Sequence, residues 1–206
     1  MKFLVLPLVF AAGFATAQLT GFTIAADPKP PEPTKVAPAN PNIDMNGFLN
    51  AANSAAKHRE SRRLTEDDFL KMSQEEGVIV LDARSKQMYD LLHIKGAINL
   101  NFSDIDTVSI KKVLPDKNAK ILIYCNNNFT PAPGVKNPPR EVTPNGGVPV
   151  TKREIAEIAM RPKSAGLSLN LSTQMVLFNY GYKNVYELAP TVDPAKTKLA
   201  LVSNKK

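Results

Sequence analysis

Two uninterrupted apolar runs, Val78-Ile79-Val80-Leu81 and Ile121-Leu122-Ile123-Tyr124, constrain this chain more than any other feature. Each has the length of a strand, is rich in β-branched residues and lacks the polar alternation of a half-exposed strand. Strands of that kind need cover on both faces, and the neighbouring segments can supply it. Phe48, Ala51, Ala52 and Ala55 fall at helical spacing, which predicts a short amphipathic helix from near Asn46. Thr65-Glu66-Asp67-Asp68 has the form of a capping box opening a second helix through about Gln74, ended by Gly77. Residues 85–92 then read as helix, 97–101 as strand, 103–113 as a helix capped by Ser103, 167–180 as helix and 184–188 as the last strand. Continuous strands alternating with helices predict an α/β fold: a central, mainly parallel sheet with helices on both faces.

The rest of the 206 residues organises around that unit. The N-terminus, MKFLVLPLVFAAGFATAQ, has one lysine, an apolar run and the small-x-small triplet Ala15-Thr16-Ala17. This predicts a signal peptide over 1–17 with cleavage before Gln18, and hence an exported protein, periplasmic or secreted. The apolar part is short for a membrane span, and no cysteine follows it for a lipid anchor, so no stable membrane anchor is expected. Residues 18–45 read as a linker, with six prolines between positions 27 and 42. The folded domain is expected over 46–206. Within it, 126–162 breaks the strand–helix rhythm with seven prolines, an Asn-Gly-Gly turn at 145–147 and a candidate short helix at 152–160. A connection of that length reads as an insertion with a role as lid or binding loop.

Cys125 is the only cysteine, so no intramolecular disulfide is available. It ends the second apolar run and is followed by Asn126, Asn127 and Asn128. In a doubly wound sheet, ligands gather beyond the carboxyl ends of the strands. A thiol placed there can face the crevice, and the amides of a polar turn can stabilise it as thiolate. A buried structural cysteine at a strand end is the other reading of this position. The net charge of +7 falls to +6 when Lys2 leaves with the signal peptide, a balance that suits anionic small molecules. Apart from Lys57-His58-Arg59 and Arg62-Arg63, the basic residues form no compact patch with aromatics, so nucleic-acid binding is not expected. Two histidines and one widely separated cysteine give no metal-ligand spacing, and no metal is expected.

Residues 81–101, LDARSKQMYDLLHIKGAINLN, resemble the first signature of rhodanese-like domains through Asp82, Arg84, Tyr89, His93, Ile94, Gly96 and Ala97. The strand ending at Cys125 is similar to the one that ends in that family's catalytic cysteine. Residues 163–188 resemble the helix and strand that follow its active-site loop. The resemblance implies a sulfurtransferase, or a carrier of sulfur as a cysteine persulfide, with Cys125 as nucleophile and no cofactor. Its partners would be a small anionic donor such as thiosulfate, or a thiol or persulfide protein. Asn126, Asn127, Asn128, Arg161, Lys163 and Ser164 are the candidate substrate-binding residues, with Asp82 and Arg84 in support. Members of the family usually carry an arginine about five residues after the cysteine. Here positions 126–130 are Asn-Asn-Asn-Phe-Thr, and the nearest equivalent by following sequence is Lys163. The same absence counts against the related phosphatases. A binding module without turnover and a thiol redox sensor are the alternatives.

Overall fold

Five strands, β1 (Arg63–Leu64), β2 (Ile79–Asp82), β4 (Ile98–Asn99), β5 (Ile121–Tyr124) and β6 (Val185–Leu188), make one sheet in the order β1-β6-β5-β2-β4. Every neighbouring pair is parallel. The structure is a computed structural model that describes residues 38–130 and 159–204. The elements below belong to the unit Pro41–Lys206. The leader 1–17, most of the linker 18–45, the turn at 145–147 and nearly all of the helix expected at 152–160 lie outside the described residues.

The two apolar runs are the sheet's centre. β5 has all four residues buried and lies between β2 and β6. One face packs Val80, Leu122, Tyr124 and Leu188 against Phe69 of α2 (Glu66–Ser73) and Leu91 of α3 (Lys86–Leu91). The other packs Leu81, Ile121, Ile123 and Val185 against Ile110 of α4 (Thr107–Val113) and Leu177 of α5 (Leu169–Asn179). α1 (Met45–Arg59) lies against α5. This is the α/β architecture expected, with apolar side chains alternating between two covered faces.

Local chemistry moves several boundaries. The helix expected over 103–113 divides into a 3-10 turn, Phe102–Asp104, and α4. Asp106 is the reason. Its carboxylate accepts from the amides of Val108 and Ser109, both at 2.7 Å, and the Ser109 hydroxyl accepts from the Asp106 amide at 2.9 Å. That reciprocal cap starts the helix one turn after Ser103. Thr65 does cap α2: its hydroxyl accepts from Asp68 N at 3.1 Å and donates to Asp68 Oδ2 at 2.7 Å. The strand expected over 97–101 is only Ile98–Asn99. It follows a tight turn in which Gly96 takes φ +84°, a conformation that disfavours other residues. β3 (His93–Ile94) and β7 (Leu201–Val202) form a separate antiparallel pair that ties the C-terminal segment to the turn after α3. Among the described residues, no helix is long and apolar enough to cross a membrane.

Candidate active site

Cys125 stands one residue past β5, with extended backbone, and is 1% exposed. The chain then turns at once through the 3-10 helix Asn126–Asn128. Asn128 closes that turn. Its amide donates to Cys125 O at 3.1 Å and also reaches the Cys125 sulfur, while its Oδ1 accepts from Cys125 N at 2.9 Å. The same Oδ1 accepts from Asn170 Nδ2 at 3.0 Å, and Asn128 Nδ2 donates to Leu188 O at 2.5 Å. One buried amide side chain therefore joins the end of β5 to α5 and to the end of β6. The Asn128 side chain is committed to the protein's own polar groups.

The other two asparagines hold the returning chain. Asn126 Nδ2 lies 3.4 Å from Ala159 O. Asn127 grips the backbone of Lys163 from both sides, donating to Lys163 O at 2.7 Å and accepting from Lys163 N at 3.1 Å. Lys163 thus meets the cysteine turn through its main chain, and its side chain is exposed. Ser164 is exposed and Arg161 half-buried. The helix α5 begins six residues after Lys163, following a 3-10 turn, Ala165–Leu167. The residue directly before that helix is Ser168, whose Oγ lies 3.3 Å from Cys125 Sγ. Ser168 and Asn170 are the site residues that sequence reasoning passed over. A serine ahead of an apolar helical segment is an N-cap signal that could have flagged Ser168. Nothing local marks Asn170.

Beneath the turn lies a polar cluster with no water access. Arg84 donates to Asp82 Oδ1 through Nε at 2.9 Å and to Oδ2 through Nη2 at 2.6 Å. Its remaining donors reach Ala159 O and Leu92 O, each at 2.7 Å. Tyr124 donates its hydroxyl to Asp82 Oδ2 at 2.6 Å and accepts from Ile94 N at 3.1 Å. Burial pulls the Arg84 pKa down, but the hydrogen bond and charge of Asp82 outweigh it and leave it raised. Burial, and then the Asp82 charge, push Tyr124 well above the ordinary tyrosine range. Asp82 and Arg84 thus fix the strand ends and the return of the chain at Ala159. His93, whose Nδ1 lies 2.7 Å from Tyr89 O, stacks on Tyr89 at 3.8 Å and is part of the turn. Among the described residues, no three His, Cys, Asp or Glu side chains gather as metal ligands.

Residues 65–137 match the family model of the rhodanese-like domain. The match takes in the cysteine turn and stops within the insertion, short of Lys163. A 65-residue stretch is 38% identical to the tRNA uridine(34) hydroxylase of Aster yellows witches'-broom phytoplasma (strain AYWB). It covers 30% of this chain and 21% of that protein, so the matched stretch spans about a fifth of that relative's length. Two solved structures are similar in part. The rhodanese with anions from E. coli is 20% identical, with 61% of this chain and 98% of that one covered, at a TM-score of 0.34. Thiosulfate sulfurtransferase from Pseudomonas aeruginosa is 14% identical, with 77% of this chain and 23% of that one covered, at a TM-score of 0.42.

Proposed function

We propose that this protein carries sulfur on Cys125 as a persulfide and transfers it between a donor and an acceptor. The observation that carries the reading is the placing of the single thiol. It sits at the carboxyl end of the central strand, within the rhodanese-like match, and Asn128 closes the turn around it with its amide facing the sulfur. In the reaction, the Cys125 thiolate attacks the outer sulfur of thiosulfate or of a persulfide donor. The sulfur–sulfur bond of the donor breaks, sulfite or a thiolate leaves with the electron pair, and Cys–S–S⁻ remains. A nucleophilic acceptor then takes the outer sulfur, and the pair returns to Cys125. The rigid strand and the Asn128 links hold the sulfur in place through both steps. Asn126 and Asn127 in this turn, and Arg161, Lys163 and Ser164 on the segment that returns past it, would meet the donor. We also propose export after cleavage before Gln18, which N-terminal sequencing of the mature protein would check.

The test is sulfur transfer from thiosulfate to cyanide by the wild type and by Cys125→Ala. Activity lost in the variant supports the reading, and a wild type without activity on thiosulfate or on a persulfide donor rejects it. One observation favours a second reading: the thiol is buried. A sulfur closed to substrate would leave a binding module, or a redox sensor that oxidises only when its cover opens. Rapid labelling of the native thiol by a small neutral alkylating reagent would set that reading aside. Labelling only after denaturation would favour it.

A further inference from the structure

A hydroxyl 3.3 Å from a buried sulfur is within hydrogen-bond range. Ser168 occupies the N-cap position of α5, where a serine side chain ordinarily accepts from the helix's free amides. Here it makes no such bond, and its oxygen faces Cys125 instead. Its backbone is held on both sides, with Ser168 N donating to Ala165 O at 3.2 Å and Leu171 N donating to Ser168 O at 3.1 Å. The Asn128 amide faces the sulfur from the other side of the turn, and Asn128 is fixed by the Asn170 and Leu188 links. Where water is excluded, each donor to a charged atom matters more than it would at the surface.

Building on the sulfur-carrier reading above, we propose that Ser168 is a positioning residue whose hydroxyl donates to the Cys125 thiolate. The chain then holds its reactive sulfur with two neutral donors, Ser168 O–H and Asn128 N–H. In the resting thiol the hydroxyl can accept the S–H. When the thiol proton passes to solvent, the hydroxyl rotates and donates to the thiolate. Attack on the donor moves the negative charge to the outer sulfur. When the acceptor removes that sulfur, the electron pair returns to Cys125 Sγ and the Ser168 hydroxyl again meets it. Ser168 keeps its proton at the end of each step.

Because Cys125 is the only cysteine, the ultraviolet absorbance of its thiolate can be followed against pH in the full chain, with Cys125→Ala as reference. Ser168→Ala should shift the appearance of thiolate to higher pH by about one unit, a tenfold loss at a fixed pH. Ser168→Thr, which keeps the hydroxyl, should follow the wild type. Ser168→Gly gives the same reading should the alanine variant not fold, since glycine is well tolerated at an N-cap. Curves of the alanine and glycine variants that overlie the wild type overturn the assignment, as does a threonine variant that shifts as far as alanine. Thiosulfate sulfur transfer by the wild type is measured in parallel. Absent transfer with a shifted alanine curve rejects the carrier reading and leaves the Ser168 contact to the thiolate standing. Transfer with overlying curves rejects Ser168 alone.

Discussion

Arg84 and Asp82 form a forked ion pair, two residues apart in sequence, with the carboxylate 0% and the guanidinium 1% exposed. The same guanidinium donates to Leu92 O and to Ala159 O, which lie 8 and 75 residues away. A charge pair buried this deeply is retained only if nearly every donor and lone pair is met, and here the backbone supplies what Asp82 does not. Arg84 thereby pins the chain where it returns from the insertion, next to the cysteine turn.

Removing one partner leaves the other charged and buried. Arg84→Met should destabilise the protein by about 3–5 kcal/mol, read from urea unfolding midpoints. Arg84→Lys should recover little, since an ammonium cannot reproduce the planar fork that spans Asp82 and two carbonyls. The double variant Asp82→Leu/Arg84→Met should be more stable than Arg84→Met alone. An Arg84→Met midpoint equal to the wild type would show that the pair pins nothing.

Tyr124→Phe removes a hydroxyl that serves Asp82 Oδ2 and Ile94 N together. Both partners are buried, so the cost should be about 1–3 kcal/mol. Hydrogen exchange should show the Ile94 amide losing protection. Unchanged exchange at Ile94 would count against the bond.

Asn127→Ala cuts both bonds between the cysteine turn and the Lys163 backbone. The site is partly exposed and water can replace these bonds, so global stability should fall by no more than about 1.5 kcal/mol. The local effect should be larger: the Lys163 amide should exchange faster while the amides of β5 keep their protection. Equal exchange at Lys163 in both proteins would reject the stitch.

Burial first, and then the charges of Arg62 and Lys183, hold the His58 pKa below its ordinary value of 6.5. The fold therefore favours neutral His58, and below about 6.5 the unfolded chain binds a proton that the folded one resists. The contribution of His58 is full above that value and is lost as pH falls through the folded pKa. Melting temperatures measured from mildly alkaline to mildly acid buffer should fall less for His58→Gln than for the wild type. Parallel curves would mean that His58 does not contribute.

The two apolar runs, the parallel sheet they imply and the place of Cys125 at the end of one of them could be read from local pattern. Run length, periodicity and cap chemistry act over a few residues and need no knowledge of distant chain. The cap of α2 at Thr65 is of that kind. The same locality misplaced the start of α4: the pattern put the cap at Ser103, and the reciprocal bonds between Asp106 and Ser109 put it at Asp106. It also missed β1, β3 and β7, since two-residue strands carry no period. Arg63 is a strand residue only because it lies opposite Glu187.

The surroundings of the sulfur belonged to tertiary structure. Residue types gave a cysteine, three asparagines and a lysine expected to return, but not the directions of their side chains. Packing α5 against the sheet turned Ser168, 43 residues from Cys125, toward the sulfur and brought Asn170 onto Asn128. It also left Lys163 meeting the turn through its backbone. Hydrogen bonds over such separations form only once loop closure and burial have brought the groups together, so their geometry depends on the whole fold.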